Sequence, residues 1–140
     1  MTGVQTCALP ISTYARFSFV ILRKKILLVE DNNDCRELLE KLVSCFGYDV
    51  IKAGSGTEAL TQASEKHPDL ILMDIYLPEM TGDEITARLK ANPATRDIPV
   101  IITTAFQERD VTNRALHAGA AEILPKPFSL TMLTASRCLA

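Results

Sequence analysis

Acidic side chains stand where two apolar runs of this chain stop. Ile26-Leu27-Leu28-Val29 passes directly into Glu30-Asp31, and Leu70-Ile71-Leu72-Met73 ends in Asp74. A further run, Ile101-Ile102, closes on Thr103-Thr104-Ala105, and another, Ile123-Leu124, leads to Lys126-Pro127. Singly, each has an ordinary explanation: acids after strands cap helices or sit in turns, threonine is a common strand residue, and a loop lysine is usually solvated. Together they make a chemical set. Clustered carboxylates repel one another unless a cation joins them, and Mg²⁺ suits oxygen ligands combined with a phosphate. Such residues would serve metal-assisted phosphoryl transfer, supplying metal ligands, a carboxylate nucleophile, a hydroxyl donor and a neutralising ammonium.

That chemistry requires the run ends to meet, which depends on the elements that carry them. Short apolar runs alternate with amphipathic segments from Lys24 onward, the pattern of parallel strands joined by crossover helices. Strands are predicted at 25–29, 49–53, 70–73, 100–103 and 121–124. After the first strand, Cys35, Leu38, Leu39, Leu42, Val43 and Phe46 share one helical face, with Gly47 placed for a left-handed cap. Ser55 with Glu58 and Thr81 with Glu84 have capping-box spacing, and Pro68 and Pro93 punctuate the helices that follow. A fourth helix closes at Gly119 and a last one begins near Ser129. The predicted fold is α/β: a doubly wound, five-stranded parallel sheet, (βα)₅, in the flavodoxin-like order 2-1-3-4-5. Right-handed crossovers put all strand carboxyl ends on one edge, where ligands of open α/β sheets bind. With strands one and three adjacent, Glu30, Asp31 and Asp74 converge there.

The bulk properties exclude several classes. A chain of 140 residues has the size of one domain, and 47% hydrophobic with 23% charged residues is an ordinary globular composition. A formal charge of −2 without a long basic block gives no footprint for nucleic acid or an anionic membrane. No apolar run approaches the roughly 20 residues of a membrane span. Cys7, Cys35, Cys45 and Cys138 lack metal-site spacing and are expected to be reduced in a cytoplasmic protein. Residues 1–23 are set apart as a leader, because 1–12 match no helix or strand period and resemble a translated sequencing-library adapter. Residues 24–140 are expected to form the domain, its last helix cut short.

The segment 26–128 resembles the response-regulator receiver family of two-component signalling, through ILLVEDN, LILMDIYLPEMTG, IPVIITTA and ILPKPF in that order. The resemblance implies that Asp74 accepts a phosphoryl group, and that Glu30 and Asp31 hold Mg²⁺ with the Asp74 carboxylate and the Tyr76 backbone carbonyl. It implies that Thr104 donates to a phosphoryl oxygen, that Lys126 pairs with the phosphorylated carboxylate, and that the Lys126–Pro127 bond is cis. The donor is expected to be a phosphohistidine on a sensor histidine kinase or histidine phosphotransfer protein. A downstream effector protein or an output domain missing from this sequence would read the signal. The chain would catalyse only its own phosphorylation and dephosphorylation.

Two departures bear on output and lifetime. Ile123 stands where receivers commonly carry a switching Tyr or Phe, so the usual coupling of threonine to an aromatic ring is not expected. Tyr76 and Phe106 flank the expected approach of the hydrolytic water and are expected to slow self-dephosphorylation. The alternatives are a receiver-like interaction module that takes no phosphate and a Mg²⁺-dependent phosphohydrolase with an Asp nucleophile. Tyr76 stands where the latter carries its second Asp.

Overall fold

The computed structural model describes residues 24–105 and 108–126. Along them run β1 (Lys25–Val29), α1 (Asn33–Cys45), β2 (Asp49–Ala53), α2 (Gly56–Lys66), β3 (Leu70–Asp74), α3 (Gly82–Ala91), β4 (Val100–Thr104), α4 (Arg109–Ala118) and β5 (Glu122–Pro125). The strands form one parallel sheet in the order β2-β1-β3-β4-β5, as expected from the alternating pattern. The expected fifth helix, the leader and the Lys126–Pro127 bond lie outside the described residues.

Parallel strands covered on both faces should be apolar throughout, and β3 is: Leu70, Ile71, Leu72 and Met73 are all buried. Alternation sends Leu27, Val29, Ile71 and Met73 to one face, where they pack with Ala59 and Ala63 of α2, Ile85 and Leu89 of α3, and Val111 and Ala115 of α4. Ile26, Leu28, Leu70 and Leu72 point the other way, toward Val43 and Leu39 of α1. Burial of these side chains fixes the strand register; a slip of one residue would exchange the faces.

Helix boundaries follow the predicted signals. The Ser55 hydroxyl accepts from the Glu58 N–H at 3.2 Å, and the Glu58 carboxylate accepts from Gly54, one residue upstream of the cap, at 3.0 Å. The Glu84 carboxylate accepts from the Thr81 N–H at 3.3 Å. Gly47 and Gly119 follow α1 and α4 at φ +89° and +112°, where a side chain would be strained.

Three expectations need correction. The apolar face of α1 is divided: Val43 is buried and Leu39 half-buried, whereas Cys35 is exposed and Leu38, Leu42 and Phe46 are 59%, 40% and 54% exposed. Positions 39 and 43 form one i, i+4 row and 38, 42 and 46 the next, and only the first faces the sheet. The strand ends also shift by a residue. β3 and β4 run through Asp74 and Thr104, because the Ile75 N–H still donates to the Thr103 carbonyl at 3.0 Å and Lys126 N–H to the Thr104 carbonyl at 2.7 Å; β5 spans Glu122–Pro125 rather than 121–124. Cys35 is free, but Cys45, half-buried at the end of α1, is disulfide-bonded rather than reduced. Among the described residues no helix is long and apolar enough to cross a membrane.

Candidate functional site

The register brings the acids together. β1 pairs with β3 up to Val29 opposite Met73, so the next residues, Glu30 and Asp74, leave adjacent strands side by side. The Glu30 N–H donates to the Ala53 carbonyl at 3.1 Å, which ties it to β2 as well. Its side chain is almost fully buried, Asp74 is half-buried, and Asp31 turns to solvent. Carboxylate oxygens of Glu30, Asp31 and Asp74 all lie within 4.8 Å of one another.

Lys126 reaches this cluster from the end of β5. Its ammonium donates to Glu30 Oε1 at 2.9 Å and to Asp74 Oδ2 at 3.2 Å. The backbone bond from Lys126 to Thr104 sets where that side chain starts. Burial holds the Glu30 carboxyl above its usual range; the Lys126 ammonium opposes this without cancelling it, and the charge of Asp74 adds to it. Burial works against the Lys126 ammonium too, yet the hydrogen bond to Glu30 and the charges of Asp74 and Glu30 outweigh it and raise its pKa. One ammonium thus meets two of the three clustered carboxylates, and the donor set is oxygen alone, which fits a hard divalent cation such as Mg²⁺.

The loop after Asp74 is held tightly. Asp74 Oδ1 accepts from the Tyr76 N–H at 3.3 Å, a local turn bond of the kind Asp favours. Tyr76 bridges to Thr81, and the Gly82 N–H donates to the Ile75 carbonyl at 2.7 Å. Gly82 has no room for a side chain: a Cβ would sit 2.8 Å from the Asp74 carbonyl oxygen and 3.0 Å from Ile75 Cα. The Tyr76 side chain is 45% exposed beside the cluster.

The structure brings some of the predicted residues together and leaves others apart. Glu30, Asp31, Asp74 and Lys126 are in one cluster. Thr104 is buried at the end of β4, in register with Pro125. Neighbouring Thr103 faces Asp74 in register, and its hydroxyl is committed to the Met73 carbonyl at 3.4 Å. Ile123 is half-buried and lines a cavity of about 350 Å³ with Thr104, Arg109, Thr112 and Pro125. Phe106 lies outside the described residues.

Two residues that contribute to this geometry had no sequence assignment. Gly82 is one, and its signals are its place directly after the helix cap Thr81 and at the end of the LILMDIYLPEMTG motif. The other is Arg36, whose guanidinium donates to the Glu30 carbonyl at 2.6 Å. Nothing in a one-dimensional pattern links positions 30 and 36 across the start of a helix.

The family model described as "Response regulator receiver domain" matches residues 26–136. The polar-differentiation response regulator DivK of Brucella ovis is 43% identical over 109 residues, covering 78% of this chain and 89% of that protein. The signal receiver domain of a histidine kinase from Syntrophus aciditrophicus superposes with a TM-score of 0.76 at 34% identity, covering 83% of this chain and 89% of that one. The receiver domain of a Pseudomonas aeruginosa sensor histidine kinase, described with a magnesium ion coordinated in its active-site cleft, gives 0.75 at 33% identity, covering 81% and 93%.

Proposed function

This chain belongs to the response regulator receiver domain family, and on that footing we propose that it takes a phosphoryl group from a phosphohistidine onto Asp74 in a two-component phosphorelay. The observation that carries the reading is the single cluster of Glu30, Asp31 and Asp74 with the Lys126 ammonium bonded to two of them. The receiver unit is residues 24–140, and its place of action is the cytoplasm.

In the proposed transfer, an Asp74 carboxylate oxygen attacks phosphorus while the phosphorus–nitrogen bond of the phosphohistidine breaks. The imidazole leaves with the bonding electron pair and takes up a proton. Little covalent chemistry is asked of the protein, so positioning and charge compensation dominate. The Tyr76 N–H bond to Asp74 Oδ1 orients the nucleophile. Lys126 meets the charge that builds up on the modified carboxylate, and Thr104 offers its hydroxyl to a phosphoryl oxygen. Glu30, Asp31, Asp74 and the Tyr76 carbonyl would hold Mg²⁺, which supplies the positive charge needed to admit a phosphate among carboxylates.

The donor is a sensor histidine kinase or a histidine phosphotransfer protein, and a downstream effector or an output domain reads the modified surface. Ile123 cannot swing an aromatic ring, so output depends more on the loops around Asp74 than on the face of α4, β5 and the expected fifth helix. Slow hydrolysis of the phosphoaspartate is expected because positions 76 and 106 carry Tyr and Phe, bulky residues with no carboxylate or amide to orient the in-line water.

Incubation with a phosphorylated histidine phosphotransfer protein tests the reading. Transfer to the chain should require Mg²⁺ and stop with EDTA. Transfer that ignores EDTA would remove the metal-assisted mechanism, and no transfer from any histidine donor or acetyl phosphate would favour a receiver-shaped interaction module.

A further inference from the structure

The first turn of α1 holds a cation in an unfavourable place for the helix. Arg36 is the fourth residue of α1, near the end where the helix dipole is positive and where acidic side chains are the stabilising ones. Its contacts lie elsewhere. One guanidinium nitrogen, Nη1, donates to the backbone carbonyl of Glu30 at 2.6 Å, and Nη2 donates to the Asn33 side-chain oxygen. The same group lies over Gly54 at the end of β2: a Cβ there would come 3.0 Å from Nη1 and 3.7 Å from Cζ. Arg36 is half-buried between the β1–α1 and β2–α2 connections.

The Glu30 carbonyl belongs to the peptide that joins Glu30 to Asp31. Because a peptide unit is planar, fixing its oxygen fixes the plane from which Asp31 departs. From the other side, the Glu30 N–H is fixed to the Ala53 carbonyl at 3.1 Å. Glu30 thus has both backbone groups held while its side chain is locked to Lys126. Asp31 is exposed, and its side chain meets that of Glu30. The peptide before it sets the point and plane from which its carboxylate departs toward Glu30 and Asp74.

We propose that Arg36 is a positioning residue for the metal site: its guanidinium clamps the Glu30–Asp31 peptide so that the Asp31 carboxylate is aimed into the cluster before a divalent cation arrives. This rests on the reading of Glu30, Asp31 and Asp74 as Mg²⁺ ligands. Lysine cannot replace the arginine, because a single ammonium lacks the planar fork that bonds the Glu30 carbonyl and Asn33 together. Gly54 belongs to the same device, since it leaves the space in which the guanidinium lies.

The test is Mg²⁺ titration of the purified chain followed by backbone amide resonances. Wild type, Arg36→Lys, Arg36→Gln, Gly54→Ala and Asp31→Asn are compared, with the metal-free Asp31 amide as a second readout. Arg36→Lys and Arg36→Gln should each raise the Kd for Mg²⁺ about tenfold, equivalent to about 1.4 kcal/mol. Both should move the Asp31 amide resonance before any metal is added. Gly54→Ala, which removes no charge, should weaken Mg²⁺ in the same direction by less. An Arg36→Lys variant that binds as wild type would overturn the proposal, because charge alone would then suffice. Should the Arg36 variants fail to fold, Gly54→Ala decides: unchanged Mg²⁺ affinity with an unmoved Asp31 amide would overturn it equally. Wild type that binds no Mg²⁺ would instead refute the underlying metal-site reading, which keeps the two failures distinct.

Discussion

The Lys126 ammonium donates to the Glu30 carboxylate across 2.9 Å, joining positions 96 residues apart and linking the end of β5 to the end of β1. β1 and β5 are not neighbours in the sheet; β3 and β4 lie between them. The bond therefore spans the carboxyl edge over Asp74, and an incoming cation must share that space with the ammonium.

Lys126→Met should destabilise the metal-free domain by about 1–3 kcal/mol, since it leaves the nearly buried Glu30 carboxylate without its ammonium. The pH dependence has a defined sign. Lys126 holds its proton more tightly in the fold than when unfolded, so its contribution is full below the ordinary lysine value of 10.5 and fades as pH rises through the folded value. Urea unfolding at several alkaline pH values checks this; a wild type and a variant with the same alkaline slope would contradict it.

Mg²⁺ should stabilise the folded chain, because the clustered acids exist only there. At one hundred times its Kd the gain is about 2.7 kcal/mol, a shift of several degrees in Tm. Asp31→Asn removes one of the three carboxylates and should shrink that shift. An equal shift in the variant would show that Asp31 is not a ligand.

Gly82→Ala should cost about 1–3 kcal/mol and slow phosphorylation, because its Cβ meets the backbone of Asp74 and Ile75, which cannot rotate away as a side chain would. Melting temperature and labelling rate are the measurements. A variant with both values of wild type would mean that the loop after Asp74 relaxes freely.

Much of this was legible in the chain because the apolar pattern and the site share one cause. A strand buried on both faces must be apolar, so the acids of Glu30 and Asp74 stand out at the places where burial ends. Capping residues such as Ser55 and Thr81 are read directly from local spacing. What was not legible depends on three-dimensional neighbours. Leu38, Leu42 and Phe46 have the same period as Leu39 and Val43, and only the sheet decides which row it covers. Arg36 on the Glu30 carbonyl and Gly82 against Asp74 are contacts to backbone, which leaves no trace in residue type at the other end.

The lifetime of the modified protein is expected to be set by Tyr76 and Phe106. Tyr76→Asn/Phe106→Glu offers polar groups that orient water and should speed decay of the phosphorylated form about tenfold, equivalent to about 1.4 kcal/mol off the barrier. Decay is followed after the donor is removed. Unchanged or slower decay in the double variant would show that these side chains do not control hydrolysis.

Chemical trapping of the acceptor tests the central claim most directly. After Mg²⁺-dependent phosphorylation by acetyl phosphate, borohydride reduces an aspartyl phosphate to homoserine, which peptide mass analysis locates. The account predicts homoserine at position 74 and no label in Asp74→Asn; homoserine at another acid, or undiminished labelling of that variant, would contradict it.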